Sequence, residues 1–263
     1  MPLAMGLVDE FTRAAALADG EFAIASLVAR FIEPDYDVTV AERALDGMFE
    51  NLRQQGCDDV PALLAGLTDL GFGQQPLHQV NTLHSHIGWV MQNKQGLPIS
   101  LAVVLIACAR RLHLQSYGIN FPGHFLVQVG DSLVDPLRMQ LVSLAQLDSS
   151  GLSGEELHRF MQPASAQALG LRMLNNLKNV YAKVQDWHRV LDALDCQLGL
   201  AGADSGMAGL LHFERGEMWE QAGVASIARD AYRACLDAGV SSDLAAKATA
   251  RMAALDGRDE TLH

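Results

Sequence analysis

The sequence is poor in cysteine. Cys57, Cys108, Cys196 and Cys235 are the four in 263 residues, and no two lie within four positions of each other. That spacing excludes a CxxC zinc or redox motif. Two disulfides remain arithmetically open, but nothing signals export. The first ten residues carry no basic stretch and turn acidic at Asp9 and Glu10, so a cytoplasmic protein with free thiols is the expectation. Long apolar runs are absent as well. The longest unbroken one, Leu101 to Ala109, falls far short of the roughly 20 residues that cross a bilayer, so no membrane partner is expected. Basic residues are the third deficit, 19 Lys and Arg against 31 Asp and Glu, for a formal net charge of -12. A broad surface for nucleic acid needs clustered cations, and none is expected here.

What the chain does have is apolar content. Hydrophobic residues make up 49% and charged ones 19%, which supports one large or two modest cores and excludes intrinsic disorder. The first 95 or so residues read as helices. Phe11 to Ala18 ends at Asp19-Gly20, and Glu21 to Ile32 stops before Pro34. Thr39-Val40-Ala41-Glu42 has capping-box spacing and opens a helix with Leu45, Met48, Phe49 and Leu52 on one face. Asp58 or Asp59 ahead of Pro61 opens the next, which stops near Gly71-Phe72-Gly73. A further helix is predicted from Asn81 to about Gln92.

The middle changes character. Pro98 to about His113 is a strongly apolar helix, followed by three predicted strands, Ser116 to Phe121, Phe125 to Val129, and Leu133 to Val134. Gly130-Asp131 is a typical hairpin turn pair between the last two. Residues 140–165 are mixed in pattern and read as a linker, with Ser149-Ser150-Gly151 and Ser153-Gly154 marking loops. These signals divide the chain into residues 1–150 and 166–263.

From Ala168 onward the pattern is helical again. Leu174, Leu177, Tyr181, Val190 and Leu194 form one set, and Gly216, Trp219, Gly223, Ala228, Tyr232 and Cys235 a second. In the second set small and aromatic residues alternate as helical hairpins require, a small residue allowing close approach and an aromatic filling the space beside it. The segment resembles tetratricopeptide repeats, whose period is about 34 residues. Two such units bury little alone and need a domain or a partner to dock on.

Three motifs fall in order within the middle segment: Gln95-Gly96-Leu97-Pro98-Ile99-Ser100-Leu101, Pro122-Gly123-His124-Phe125, and Val134-Asp135-Pro136. The first opens the apolar helix, the second begins a strand, and the third ends the next one. If Gly130-Asp131 is a two-residue turn, Val129 faces Ser132 and Leu126 faces Asp135. Period-two alternation then puts His124 and Asp135 diagonally adjacent on one face, as a carboxylate that fixes an imidazole tautomer. A nucleophile at the start of the Pro98 helix would complete a triad, since helix N-termini stabilise developing negative charge.

This order and spacing resembles the transglutaminase-like branch of the papain-like fold, and more closely the SirB-type family of bacterial proteins, which join such a core to C-terminal tetratricopeptide repeats. The resemblance spans roughly residues 30 to 255. It implies an α+β fold, mostly helical, with a small antiparallel sheet packed on the Pro98 helix and repeat-like helices closing the chain. His124 and Asp135 match the family's His and Asp. Family members often carry Arg-Arg before the first glycine of the first motif, where Lys94-Gln95 stands here. True transglutaminases carry a cysteine at the start of the core helix, and this chain has none there. Cys108 lies eight residues beyond Ser100, about 12 Å along the axis, amid Val104, Leu105, Ile106 and Ala107, as inert packing.

Other candidates read as structure. His84 and His86 differ by two and point apart on a helix, unlike a zinc pair, and His78 adds no suitable spacing. Gly71-Phe72-Gly73 lacks the rest of a dinucleotide fingerprint. Arg110-Arg111 complements the end of its helix, with an anion site as the alternative. Two functions follow. One is a non-catalytic interaction or regulatory protein, its degenerate core lacking the cysteine and its repeat-like helices binding a protein or peptide. The alternative is an amidase, peptidase or acyl-transfer enzyme using Ser100, His124 and Asp135. Neither calls for a cofactor or a metal.

Overall fold

The computed structural model describes residues 5–73, 79–143, 146, 152–202 and 206–259. The fold is mostly helical with one small antiparallel sheet, as the sequence pattern implies. Backbone contacts group the chain into two units. One is Arg13–Met173, and the other joins Met1–Thr12 to Leu174–His263.

In the first unit, α2 (Glu21–Ile32), α3 (Val38–Gln54), α5 (Ile87–Asn93) and α6 (Pro98–Arg111) pack on one another, and α4 (Val60–Asp69) lies against α3. Asp59 caps α4 by accepting from the Ala62 amide at 2.8 Å, with Pro61 in the first turn, as its sequence indicates. Two local expectations are corrected. α3 is capped by Asp37, whose carboxylate accepts from the Thr39 amide at 3.0 Å, so the Thr39 capping box does not form. The same carboxylate takes the Thr39 hydroxyl, and these hydrogen bonds hold the Asp37 carboxyl below its ordinary pKa. The single helix expected from Asn81 is broken into a 3-10 turn, Thr82–Ser85, and α5. His86 stands at the break, ending the 3-10 turn and capping α5 by accepting from the Trp89 amide, while inside the turn the His84 ring accepts from the Asn81 amide.

The sheet is a meander of β1 (Ser116–Ile119), β2 (Leu126–Val129), β3 (Ser132–Asp135) and β4 (Gln140–Leu141). Val129 pairs with Ser132 and Val127 with Val134, the register the Gly130-Asp131 turn implies. α6 covers the face carrying Ser116, Gly118, Val127 and Val129. The Ser116 hydroxyl donates to the Ile106 carbonyl at 3.3 Å. A Cβ on Gly118 would lie 2.8 Å from the Phe125 ring, so only glycine admits that ring. The opposite face buries Ile119, Leu126 and Leu133 beneath Leu157 and Phe160, which belong to α7 (Gly154–Phe160). The stretch read as a linker therefore adds β4 and α7 to this unit, and the Ala164 amide donates to Gly118 at 2.8 Å. The loop signals at Ser149-Ser150-Gly151 lie outside the described residues.

The second unit contains α1 (Met5–Ala15) up to Thr12, the later part of α8 (Ala166–Lys183), and then α9 (Trp187–Ala201), α10 (Gly206–Gln221), α11 (Ala225–Asp237) and α12 (Ser242–Asp259). Consecutive helices from α9 to α12 pack on each other. α10 and α11 meet where a Cβ on Gly216 would lie 2.5 Å from the Tyr232 ring, the small-against-aromatic contact expected from the sequence. Tyr232 is fully buried and its hydroxyl donates to Glu220 at 3.0 Å. α1 joins this unit through Thr12, whose hydroxyl donates to the Gly199 carbonyl at 3.2 Å. No signal in the first twelve residues foretells that placement.

Candidate functional site

The three motifs converge on one layer of the first unit. Pro98 occupies the first turn of α6, where its missing N–H costs nothing, and the Leu97 carbonyl accepts from the Ser100 and Leu101 amides at 2.9 and 3.0 Å. Every residue from Ile99 to Ala109 is buried. A helix buried on all sides is the central element of its layer, which is why its sequence shows no polar face.

Ser100 has no accessible surface, and its hydroxyl has no hydrogen-bond partner. An unsatisfied buried hydroxyl costs about 1–3 kcal/mol. Cys108 is fully buried in the same helix, and burial pushes its thiol up to about 12. At neutral pH it is an un-ionised packing group rather than a nucleophile.

His124 follows the Pro122-Gly123 turn and precedes β2, so it stands in a loop rather than on the strand. It is exposed. Its amide donates to the Phe121 carbonyl at 3.0 Å, and its imidazole makes no hydrogen bond among the described residues. Asp135 ends β3. One carboxylate oxygen accepts from the Leu137 amide at 2.9 Å, and the other lies 3.4 Å from the Arg138 guanidinium. That is an Asp-Pro turn held by its own side chain. Strand alternation places Asp135 with Leu133 and Leu126, on the face turned away from α6. The structure thus keeps the expected order and strand register of the three residues but joins no two of them by a hydrogen bond.

One residue here was invisible in the sequence. Arg172, in α8, donates through Nη1 to the His124 carbonyl at 3.0 Å, to the Phe121 carbonyl at 3.4 Å and to the Asn120 side chain. Its guanidinium carbon lies 5.6 Å from the centre of the Phe125 ring, within cation–π range. The Pro-Gly-His-Phe segment is therefore held from a helix about fifty residues downstream, a separation no local pattern can reveal.

The remaining candidates are structural. His86 caps α5 and His84 reaches back to the Asn81 amide that opens the 3-10 turn, and burial pushes both below their ordinary pKa. His78 lies outside the described residues. Among the described residues, no three His, Cys, Asp or Glu side chains gather as a metal site. Arg110 meets Glu21 twice, at 2.7 and 2.9 Å, Asp19 at 2.9 Å and the Ser116 carbonyl at 3.1 Å, and Arg111 meets Asp46. A cavity of about 250 Å³ beside them is lined by those same arginines with Asp19 and Glu21, so its cations already hold their counter-charges.

A buried core helix packed on an antiparallel sheet, with a His loop and an Asp strand end in that order, defines a transglutaminase-like core. The model of the transglutaminase-like superfamily matches residues 38–175, more than half of the chain, and the chain belongs to that superfamily. Among curated proteins it is similar to the UPF0162 protein of Xylella fastidiosa (strain Temecula1), 29% identical over 192 residues, covering 65% of this chain and 68% of that one. It is likewise similar to a UPF0162 protein of Pseudomonas aeruginosa, 28% identical over 190 residues with the same coverage. No solved structure matches the chain. No described helix is long and apolar enough to cross a membrane.

Proposed function

We propose that this chain is a non-catalytic interaction or regulatory protein of the SirB type. Its transglutaminase-like core has lost the nucleophilic thiol, and its C-terminal tetratricopeptide-like helices receive a protein or peptide partner. The observation that carries the first half is Ser100. The only hydroxyl at the start of the core helix is sealed from solvent and bonded to nothing. A serine nucleophile needs a base within about 3.2 Å and room for a substrate, and Ser100 has neither. Asp135 spends its carboxylate on its own turn.

The second half rests on the helical hairpins. A cavity of about 330 Å³ lies among α8, α9 and α10, lined by Asn175, Lys178, Asn179, Leu194, Glu214 and Met218. Lys178 and Glu214 pair with each other there, and Asn175 and Asn179 stand beside the apolar Leu194 and Met218, a mixture of polar and apolar lining that recognition sites use. A cytoplasmic setting accords with four cysteines that are all free and buried. The alternative, an amidase, peptidase or acyl-transfer enzyme built on Ser100, His124 and Asp135, draws on the motif order and the hairpin register.

One experiment tests both. The full-length protein and an Asn179→Arg variant are used to capture partners from the native host, and the wild type and His124→Ala are assayed on acyl and amide substrates. The proposal expects a partner lost with Asn179→Arg and equal background turnover for wild type and His124→Ala. Turnover abolished by His124→Ala supports the enzyme instead, and capture unchanged by Asn179→Arg removes this cavity from the account.

A further inference from the structure

Most described arginines in this acidic chain stand beside carboxylates. Arg110, Arg138, Arg189, Arg215, Arg229 and Arg251 each stand within 4 Å of an Asp or Glu oxygen. Arg172 is the exception that matters. Among the described residues no carboxylate lies within ion-pair reach of it. All three of its hydrogen bonds leave from one nitrogen, Nη1, and end on neutral acceptors. The Nε–Nη2 edge, the two-pronged side of the guanidinium that matches a carboxylate, has no protein acceptor among the described residues. Burial alone pushes the guanidinium below its ordinary pKa, with no charged neighbour offsetting it.

A half-buried cation without a counter-charge is expensive to keep. The fold holds it through Nη1, tied to residues 120–124, with its guanidinium carbon 5.6 Å from the centre of the Phe125 ring. Tying down one nitrogen while leaving the other edge open is the arrangement a receptor needs, because the orientation is settled before any ligand arrives. The exposed His124 imidazole belongs to the residue whose carbonyl Arg172 holds, so a second donor stands at the same loop. The charge state limits the ligand. One fixed cation on a chain of net charge -12 suits a planar monoanion better than a phosphate dianion.

We infer that the open edge of Arg172, beside His124, is a binding site for the carboxylate of a peptide or small-molecule ligand. The inference rests on the reading that this core binds rather than transforms its ligand, and it names the chemistry of that ligand.

The test uses the full-length, isotopically labelled protein and follows the Arg172 side-chain Nε–H resonance by NMR, assigned by its loss in Arg172→Lys. Four probes are titrated. They are acetyl-glycyl-glycine with a free carboxylate, the same peptide as its C-terminal amide, acetyl-glutamic acid amide, and inorganic phosphate. The expected result is a saturable shift with the free-carboxylate peptide and none with its amide. Comparison with acetyl-glutamic acid amide decides between a main-chain and a side-chain carboxylate. Arg172→Lys, followed through the His124 resonances, keeps the charge but loses the fork and binds at least tenfold more weakly. His124→Gln weakens binding severalfold. Equal shifts from acid and amide, a shift from phosphate at lower concentration than from either carboxylate, or no saturable shift overturn the site. The acid-against-amide comparison needs no variant, so misfolding of Arg172→Lys leaves the test intact. Failure of the proposed function is visible separately: cleavage of the peptide in the same sample shows catalysis, whereas a stable peptide that does not bind removes only the carboxylate site.

Discussion

Two arginines of the first unit, Arg110 and Arg172, sit in similar half-buried positions and are treated in opposite ways. Arg110 closes the C-terminal end of α6 and is saturated by Glu21, Asp19 and the Ser116 carbonyl. Arg172 holds the His124 loop with one nitrogen, and no acid among the described residues meets its other edge. The first is a fastening between α2, α6 and β1. The second holds a loop and still has donors to spare. In a protein with an excess of carboxylates, an unpaired half-buried cation is the better pointer to a ligand than a paired one, because evolution of a mere fastening has a counter-charge within easy reach.

The comparison can be broken most directly at Arg110. Glu21 is 5% exposed, so Arg110→Met strands a buried carboxylate, and a urea titration is expected to show a loss of about 3 kcal/mol. Arg172→Met abandons only neutral acceptors and is expected to lose about 1 kcal/mol by the same measurement. Equal losses would mean that Arg172 is as much a fastening as Arg110.

The two buried histidines sharpen the contrast from another side. Burial holds His84 and His86 below their ordinary pKa, with Glu33 beside His86 opposing the effect in part. Below about pH 6.5 the unfolded chain takes up protons that the folded rings refuse. Stability is therefore fully present above that pH and falls as the pH drops toward the folded values, by up to about 1.4 kcal/mol per pH unit for each ring. Both rings also accept a backbone amide through a lone pair that protonation removes. His84→Gln with His86→Asn is expected to flatten the slope between pH 7.5 and 5.5, measured as urea midpoints. An unchanged slope would show that other groups set it.

Ser100 gives a smaller effect of opposite sign. Removing an unsatisfied buried hydroxyl relieves its desolvation cost, so Ser100→Ala is expected to raise stability by about 1 kcal/mol. Destabilisation would reveal a partner for the hydroxyl. Smallest of all is Arg138→Ala. Its side chain is 71% exposed beside Asp135, and exposed pairs contribute about 0–1 kcal/mol, so thermal melting is expected to move little.

Much of this molecule was legible from its residues. The Gly130-Asp131 turn determines the strand register, and the apolar run from Leu101 to Ala109 marks the central helix. Cys108, flanked by aliphatic residues, reads as inert, and in the structure it is fully buried. Errors arose where side chains competed with pattern. Asp37 outbid Thr39 as a cap because a carboxylate is the stronger acceptor. His86 stands where a helix that periodicity would have continued is broken. At the candidate site the sequence supplied His124, Asp135 and Ser100 but not their surroundings. It did not show the closure over Ser100.

Local chemistry is encoded locally, and for that reason the sequence alone settled the class of fold, the antiparallel hairpin and the absence of a thiol at the head of the core helix. Solvent access and partnership belong to the packed molecule. Only tertiary structure decided that Ser100 is sealed, that Asp135 faces away from α6, and that Arg172 comes back across some fifty residues to hold the His124 loop. Burial and charge pairing depend on which distant atoms arrive beside a group, and no stretch of neighbouring residues carries that information.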